Sequence, residues 1–327
     1  MMKGIPRAIP ACTDPLGETL HRLRLNGTLY CKSELTAPWG IDLPAFDGHM
    51  MFHVVTSGHC WLEVAGEQPR LLQQGSLTLL PHGEGHCIRS SADASAEPLF
   101  DIPVEQVSDR YEIMRYGGNG ELTHLTCGVV SFDHVAGQRL IAQLPGMLQI
   151  DSLGDEDDSW LQSTLRFIAR EARELRPGGE TVITHLADIL IIQAIRSWID
   201  SAPEANQGWL AALRDDHVGT ALAAIHRQPE KDWTVASLAK EVGMSRSGFS
   251  ARFTQLVGES AKRYLTQWRM QLARAQLQET SDTLAVLAER LGYKSEAAFC
   301  RAFKRVFGVP PGSVRQAAAS SDQARLW

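Results

Sequence analysis

Long apolar runs, paired cysteines and low-complexity tracts are all missing from this chain of 327 residues. No apolar run reaches the roughly 20 residues that a membrane-spanning helix needs, and the first residues lack the apolar core of a secretion signal. The six cysteines form no Cys-x-x-Cys pair, which disfavours a disulfide framework or a zinc ribbon. These absences predict a cytoplasmic protein with reduced thiols and no membrane partner.

Composition excludes a disordered chain, since 44% of the residues are hydrophobic and only 21% are charged. The charge is unevenly placed. Residues 221–327 hold 16 Lys and Arg against 9 Asp and Glu, which is +7, so the total of -6 leaves -13 for residues 1–220. A basic segment joined to an acidic body indicates phosphate binding, as on a nucleic acid.

Residues 28–90 predict a β-rich domain. Short apolar segments alternate with turn signals such as Ser57-Gly58 and His82-Gly83, at the spacing of an antiparallel sandwich or barrel. Residues 91–120 are polar and rich in turn residues, which predicts a surface excursion. The predicted strands are Thr28 to Glu34, Met50 to Thr56, Cys60 to Val64, Gly75 to Leu80, Cys87 to Ser90 and Leu122 to Phe132.

After an acidic run at residues 155–158, the apolar spacing changes from a period of 2 to the helical period of about 3.6. One helix is predicted to begin near Trp160 and to end at Arg176-Pro177-Gly178-Gly179, and a strongly apolar helix follows from Val182 to Ile199. Two interpretations carry equal weight: the helices meet a second copy of the chain, or they pack only within their own.

An internal repeat occupies the C-terminal third. Leu238 to Gly243 aligns with Leu287 to Gly292 at an offset of 49 residues, and residues 245, 249, 253 and 258 match residues 295, 299, 303 and 308 at an offset of 50. Each copy contains a short amphipathic helix, a glycine turn, a serine suited to cap a helix, and a second helix that ends near glycine. The repeat therefore predicts two helix-turn-helix motifs, joined by one long helix over residues 260–279.

The two motifs, the connecting helix with Arg269, and the closing Phe307-Gly308-Val309-Pro310 resemble the DNA-binding domain of AraC/XylS transcriptional regulators. One departure is Ser260-Ala261, where the family commonly has Ser-Pro; a helix start tolerates the missing proline. The resemblance implies double-stranded DNA as the partner. We also expect a homodimer formed by the middle helices, an effector that the sequence does not name, and RNA polymerase as a partner if the protein is an activator.

Helical geometry selects the residues that would meet DNA. Phe249 and Phe253 point inward from the first recognition helix, as Phe299 and Phe303 do from the second. An arginine that faces the groove, such as Arg301, can make a bidentate contact to guanine; the alternative is a solvated surface charge. We expect base-edge contacts from Ser247, Ala251, Thr254, Gln255, Ala297, Arg301 and Arg305, and phosphate contacts from Arg246, Arg252 and Lys304.

Residues 75–86 fit the second cupin motif, G-x5-P-x-G-x2-H, and end at His86. This resemblance implies a small jelly roll. The first cupin motif is degenerate: it keeps His53, but no His-x-His pair follows and Glu63 is out of register. Metal-dependent cupins use three His and one Glu there, which puts a dioxygenase-type centre in doubt. His53 and His86 either bind zinc or another transition metal with Cys31 or Cys60, or are ordinary core histidines.

Strand alternation sorts the other candidates. His86 and Cys87 are neighbours, so they cannot both enter the barrel, and Cys60 shares a face with Leu62 rather than with Trp61. Cys60 is therefore expected to be a small buried hydrophobe. The N-terminal part resembles the cupin subgroup of AraC-type regulators, of which some respond to oxidants such as reactive chlorine through cysteine. We expect Cys31 and Cys87 as redox thiols, and His53, Trp61 and His86 around an effector or metal.

The predicted fold class is α+β: a cupin-like jelly roll, then helices, then an all-α DNA-binding domain. The expected function is a sequence-specific DNA-binding regulator whose jelly roll senses a small molecule, a metal or an oxidant. The alternative is a cupin-type metal-dependent enzyme with appended helices. The expected domains are 10–132 (sensor), 133–212 (helical linker and dimerisation region), 217–316 (DNA binding) and 317–327 (tail).

Overall fold

The structure is a computed structural model that describes residues 17, 25–132, 135–150, 159–174, 176–203 and 208–315. The chain divides into two compact units. One, the sheet unit, contains residues 25–132 and, within 138–202, those that the structure describes. The other, the helical unit, contains residues 208–315. The α+β architecture is confirmed, with a sheet-rich unit followed by an all-helical one.

Two sheets form the sheet unit. One sheet has the strand order β12-β6-β3-β11-β1-β10-β9, and the other has the order β5-β4-β7-β2-β8. The strands of the described residues are β1 (Leu25–Thr36), β2 (Gly40–Leu43), β3 (His49–Ser57), β4 (His59–Val64), β5 (Arg70–Gln73), β6 (Leu77–Leu80), β7 (His86–Arg89), β8 (Glu97–Pro98), β9 (Val104–Ser108), β10 (Tyr111–Gly117), β11 (Leu122–Phe132) and β12 (Leu148–Ile150).

The core of the sheet unit lies between the inner faces of the two sheets. Because strand neighbours point to opposite faces, Leu35 and Val55 enter this core from one sheet, and Leu62 and Ile88 enter it from the other. All four side chains are buried. This double-sheet core agrees with the jelly roll that the cupin motif implied.

The predicted surface excursion at residues 91–120 is wrong, because this segment contains β9 and β10. Strand β10 pairs in parallel with β1, in register from Tyr30 and Tyr111 to Thr36 and Gly117. Ile113 and Met114 are buried. Charged residues interrupt the apolar pattern of β10, which concealed the strand in the sequence. Pairing with β1 satisfies the hydrogen-bonding groups of its backbone and helps to cover its apolar side chains.

Among the described residues, three α-helices accompany the strands: α1 (Val135–Ile141), α2 (Ser159–Glu174) and α3 (Gly179–Ser201). Helices α2 and α3 pack on each other, α2 also meets β3, and α3 meets β12. By length and composition alone, Thr181–Ser201 could cross a membrane, which differs from the expectation of no such segment. Asp188 and Arg196 lie within this stretch, and one face of α3 is buried in the unit through Ile183, Leu190 and Ile195.

The helical unit confirms both helix-turn-helix motifs. The first motif is α6 and α7, the second is α9 and α10, and α8 connects them. The helices of this unit are α4 (Gly208–Arg214), α5 (Asp216–Arg227), α6 (Val235–Glu241), α7 (Arg246–Val257), α8 (Ala261–Glu279), α9 (Leu284–Arg290) and α10 (Glu296–Phe307).

Each motif has its own core, and α8 contributes to both. Beside the first motif, the ring of Trp268 stacks 3.8 Å from that of His226, whose Nε2 lies 2.7 Å from the hydroxyl of Tyr264. In the second motif, Met270 and Leu277 of α8 join a buried cluster with the phenylalanines of α10. The connecting helix is therefore an integral part of both halves.

The compact units divide the middle of the chain between them: residues 138–202 go with the sheets, and α4 goes with the helical unit. The predicted limits 10–132, 133–212 and 217–316 remain a prediction. The predicted tail at 317–327 lies outside the described residues.

Candidate nucleic-acid interface and barrel interior

Both recognition helices begin and end in the same way. The Ser245 hydroxyl accepts a hydrogen bond from the backbone N–H of Gly248 at 3.2 Å, and Ser295 caps α10 through Ala298 at the same distance. Gly258 and Gly308 close the two helices in the left-handed conformation. The serines and glycines of the repeat thus produce two recognition helices of 12 residues each.

Burial of one face fixes which side chains are presented. Phe249 and Phe253 are fully buried on α7, as are Phe299 and Phe303 on α10. The remaining faces carry all the residues expected at the DNA. These exposed residues are Ser247, Ala251, Thr254, Gln255, Ala297, Arg301 and Arg305, together with Arg246, Arg252 and Lys304. The structure therefore brings them onto two free helix surfaces, where their contacts with DNA remain a prediction.

Among the described residues, Arg252 differs from the other cations expected at the DNA because it forms an ion pair with an acidic side chain. Its guanidinium binds the Asp215 carboxylate, with Nε 2.8 Å and Nη2 2.5 Å from Oδ2. Asp215 also caps α5 by accepting from the backbone N–H of Val218 at 2.8 Å. Sequence spacing gave no sign of this ion pair, since the partners are 37 residues apart. Arg252 thus anchors α7 to α5, which reduces the charge it offers to a phosphate.

The interior of the sheet unit brings His53 and His86 together. Their Nε2 atoms lie 2.7 Å apart. On the other side of each ring, Nδ1 of His53 lies 3.0 Å from Sγ of Cys127, and Nδ1 of His86 lies 3.0 Å from the carbonyl oxygen of Glu84. These groups form one continuous hydrogen-bonded chain, which we call the barrel relay.

Burial and the Glu84 carbonyl fix the direction of the barrel relay. Burial lowers the pKa of both histidines, that of His53 especially, so the two rings are neutral. A carbonyl only accepts, so Nδ1 of His86 donates to it and Nε2 of His86 accepts. His53 therefore donates from Nε2 and accepts at Nδ1 from the Cys127 thiol. Burial raises the pKa of this thiol well above its ordinary value, so it keeps the proton.

The barrel relay does not fit a cupin metal centre. In the tautomers assigned above, Nε2 of His53 donates to Nε2 of His86, so only one of the two facing nitrogens offers a lone pair to a metal. Within the described ranges, no group of three or more His, Cys, Asp or Glu side chains is arranged to hold a metal ion. Zinc or another transition metal therefore finds no ready site among these residues.

Cys127 is the residue that sequence reasoning missed. It is the cross-strand partner of both His53 and Cys31, and alternation along β11 places it on the inner face with Leu125 and Val129. That alternation was present in the sequence and could have identified it. Trp61, in contrast, is not brought to the histidines, because Cys60 and Leu62 on either side of it point into the core. Cys60 is buried, as expected.

The two expected redox thiols differ in their surroundings. Burial raises the pKa of Cys31 to about 12, and its sulfur lies 3.4 Å from the Ser33 hydroxyl. Burial also raises the pKa of Cys87, but Arg89 opposes this effect, because its Nε donates to the sulfur at 3.1 Å. Neither thiol is an activated thiolate in this structure, and Cys87 is the closer of the two to becoming one.

Two of the cavities in the sheet unit differ greatly in size. The inner cavity, of about 40 Å³, is bordered by Cys31, His53, Glu112 and Cys127, which is room for little more than one water molecule. The outer cleft is a larger, open cavity of about 670 Å³. It lies over the outer face of β1, β3 and β11, and its lining includes Lys32, His124, Thr126, Arg166 and Arg170.

A double-sheet cupin-like unit combined with two helix-turn-helix motifs defines a DNA-binding transcription regulator. Residues 14–200 match the cupin family, and residues 238–317 match a helix-turn-helix domain. The chain is 37% identical to an AraC-like transcription regulator of Streptomyces lividans, over 93% of this chain and 98% of that protein. It is 30% identical to the regulator AlkR of Acinetobacter baylyi, over 93% and 99% of the two chains. It is 26% identical to the RCS-specific activator RclR of Escherichia coli, over 93% and 97%. The chain belongs to the AraC-like transcription regulators and has an N-terminal cupin domain.

We predict that the sheet unit loses stability as the pH falls below about 6.5. A histidine with a lowered folded pKa contributes stability that is present above its unfolded pKa and is lost as the pH falls toward the folded value, by up to ~1.4 kcal/mol per pH unit for each group. His53→Leu should reduce this pH dependence by about one proton. The measurement is hydrogen exchange of β3 and β11 peptides between about pH 7 and pH 5.

His59→Gln is the matched control, because the His59 side chain is exposed on β4 and its loss should leave the pH dependence unchanged. An equal pH dependence in the parent chain and in His53→Leu would show that the barrel histidines are not held neutral by the fold.

Proposed function

We propose that α7 and α10 of one subunit enter two successive major-groove segments on one face of the DNA duplex. The observation that carries this proposal is the pair of equally capped helices, each with its phenylalanines buried and a small or basic face exposed. A recognition helix reads base edges from such a face. Segments that share one face of the duplex lie about 34 Å apart, one helical turn.

Arg301 and Arg246 serve as the test pair because they hold different positions on their helices. Arg301 lies in the middle of the exposed face of α10, where a guanidinium reaches base edges. Arg246 is the first residue of α7, where a guanidinium meets the phosphate backbone. Both side chains are exposed. A base contact specifies sequence, whereas a phosphate contact orients the protein without specifying sequence.

We predict that Arg301→Ala loses about 1–3 kcal/mol of DNA-binding free energy and relaxes the preference at one base position. Arg246→Ala should instead weaken binding to all sequences alike. It should also lower the slope of the logarithm of affinity against the logarithm of salt concentration by about one. The measurement is binding of the full chain to a duplex selected from random sequence and to an unselected duplex, at several salt concentrations. Footprinting of the selected duplex should show two protected segments per subunit.

Equal loss on selected and unselected DNA for Arg301→Ala would make Arg301 a phosphate contact. A single protected half-turn per subunit would contradict the proposal that both helices read DNA.

A second part of the proposal is that α3 pairs with a second copy of the chain. Val182 and Ile189 of this helix are 42% and 47% exposed, seven residues apart on one face. Phe167 of the neighbouring α2 is 58% exposed. In an 18-residue window of the apolar stretch 181–201, only 39% is buried within the chain. An apolar helix face of this length is typical of a subunit interface.

We predict that Ile189→Glu converts a dimer into a monomer, because a charge cannot be buried unpaired at an interface. Sedimentation velocity of the full chain gives the oligomeric state. Val286→Glu is the control, since Val286 is also an exposed apolar residue, at 42%, but belongs to the helical unit. A parent chain that sediments as a monomer would refute this part of the proposal.

The third part of the proposal is that the sheet unit senses the signal, in the cytoplasm. The name of the E. coli relative, an RCS-specific activator, supports an oxidant as the signal. Among the expected thiols, Cys87 is favoured over Cys31 because Arg89 partly offsets the effect of burial. If the signal is a small organic molecule, the outer cleft offers room for it, whereas the inner cavity holds only about a water.

We predict that hydrogen peroxide changes the DNA affinity of the parent chain and that the double variant Cys31→Ala, Cys87→Ala loses this response. Alkylation followed by mass spectrometry should label Cys87 before Cys31, because thiolate character and access govern thiol reactivity. An unchanged response in the double variant would exclude both thiols. A parent chain that does not respond would favour a small ligand instead.

The alternative of a metal-dependent cupin enzyme finds no support in the described ligand set. The relatives are named as transcription regulators. Metal analysis of the purified chain, with measurement of oxygen uptake, distinguishes the two functions.

A further inference from the structure

We propose that Arg269 is the positioning residue that holds the two helix-turn-helix motifs in one relative orientation. The role would give α7 and α10 a fixed spacing for the two DNA segments. This inference rests on the proposed function, because only a protein that reads two segments gains from a fixed spacing between its readers.

Arg269 lies on α8 at the point where this helix passes from one motif to the other. The preceding residue, Trp268, stacks on His226 beside the first motif. The following residue, Met270, is buried in the cluster of the second motif. Arg269 thus projects from the segment of α8 that both halves share.

The Arg269 guanidinium contacts both halves at once. Nε donates to the carbonyl oxygen of Pro229 at 2.5 Å, and Nη2 donates to that of Lys231 at 2.9 Å. Its central carbon also lies 5.5 Å from the ring centre of Tyr293, a cation–π distance. Pro229 and Lys231 belong to the loop that precedes the first motif, and Tyr293 belongs to the turn of the second.

Each contact leads directly to a recognition helix. The loop is closed by Trp233, whose Nε1 donates to the carbonyl oxygen of Gln228 at 2.9 Å. The next residue, Thr234, caps α6, and α6 packs on α7. On the other side, the Tyr293 ring meets that of Phe299 edge to face, with centres 5.8 Å apart. Phe299 is a buried anchor of α10.

The two glycine turns of the repeat show where the halves meet. Gly243 and Gly292 are equivalent residues, with φ of 69° and 75°. A Cβ on Gly243 would meet nothing within 4 Å. A Cβ on Gly292 would lie 2.1 Å from the carbonyl oxygen of Glu230 and 2.9 Å from Nη2 of Arg269. The second turn is therefore pressed against the loop of the first motif, at the place that Arg269 binds.

A stabilising role and a positioning role predict different binding behaviour. If Arg269 only stabilised the fold, its loss would lower the affinity for a duplex with one segment and for a duplex with two segments by the same factor. If it positions the motifs, its loss leaves each motif able to bind its own segment but removes the advantage of binding both. Two tethered readers gain on the order of 10²-fold or more when their spacing matches the site.

The test compares the full-length parent chain with Arg269→Met, which keeps the aliphatic stem and removes the guanidinium. The probes are a duplex selected from random sequence by the parent chain, the same duplex with either protected segment scrambled, and one with about half a helical turn, ~5 base pairs, inserted between the segments. Arg263→Met is the matched control, because it removes the same charge from the same helix at a side chain that is 72% exposed.

We expect the parent chain to bind the intact duplex ~100-fold more tightly than either scrambled duplex, and Arg269→Met only ~10-fold more tightly, with single-segment affinity kept within about twofold. The insertion should weaken the parent chain strongly and the variant little. Arg263→Met should behave as the parent chain does. An unchanged preference for two segments in a folded Arg269→Met protein would overturn the inference.

A second pair of variants tests the inference if circular dichroism shows that Arg269→Met is unfolded. Gly292→Ala forces the same contact apart while the guanidinium remains, and Gly243→Ala introduces the same backbone strain where space is open. Only Gly292→Ala should lower the preference for the intact duplex over the scrambled duplexes. An equal preference in Gly292→Ala and Gly243→Ala would overturn the inference. A parent chain that binds no selected duplex would overturn the proposed function, and this role with it.

Discussion

The buried phenylalanine pairs are the constraint on which the DNA-facing surface depends. Burial of Phe249 and Phe253 fixes the rotation of α7 about its own axis. Burial of Phe299 and Phe303 does the same for α10. Removal of such a side chain to alanine typically costs about 3–5 kcal/mol, which is far more than the contribution of an exposed residue on the opposite face. The exposed positions can therefore be substituted without a change in helix orientation, and in the proposed binding mode such substitutions would alter the DNA sequence that is bound.

In the proposed binding mode, the two helix-turn-helix motifs must also keep a fixed spacing, because successive groove segments lie one helical turn apart. Helix α8 supplies the connection through side chains that belong to both cores. Polar contacts then fix the relative orientation of the two motifs, which apolar packing alone does not. Hydrogen bonds from one guanidinium to two backbone carbonyls specify a geometry, whereas an apolar contact tolerates sliding. The half-buried Arg269 and the Arg252–Asp215 pair at the surface share this orienting character.

The sequence allowed the helical unit to be predicted in detail, because its information is local. Helix caps, apolar spacing and glycine turns recur at an offset of about 50 residues. Each helix boundary could therefore be predicted from two copies of the same pattern. Contacts between distant residues were not accessible in this way. The Arg252–Asp215 ion pair spans 37 residues, and the contact of Cys127 with His53 spans 74. Strand β10 was missed because charged residues interrupt its apolar pattern, and its pairing with the distant strand β1 cannot be read from local sequence.

If the sheet unit senses a signal as proposed, the barrel relay limits the ways in which that signal can act. Each donor in the chain from Cys127 through the two histidines to the Glu84 carbonyl has one acceptor, so the neutral network is complete without a ligand. A change at one end, whether a lost thiol proton or a displaced carbonyl, leaves a buried group unpaired elsewhere. Such a group costs about 1–3 kcal/mol, which is comparable to the coupling free energies of allosteric proteins, typically ~1–3 kcal/mol. A local chemical event in the barrel would therefore release enough free energy for the proposed coupling between the sheet unit and DNA binding.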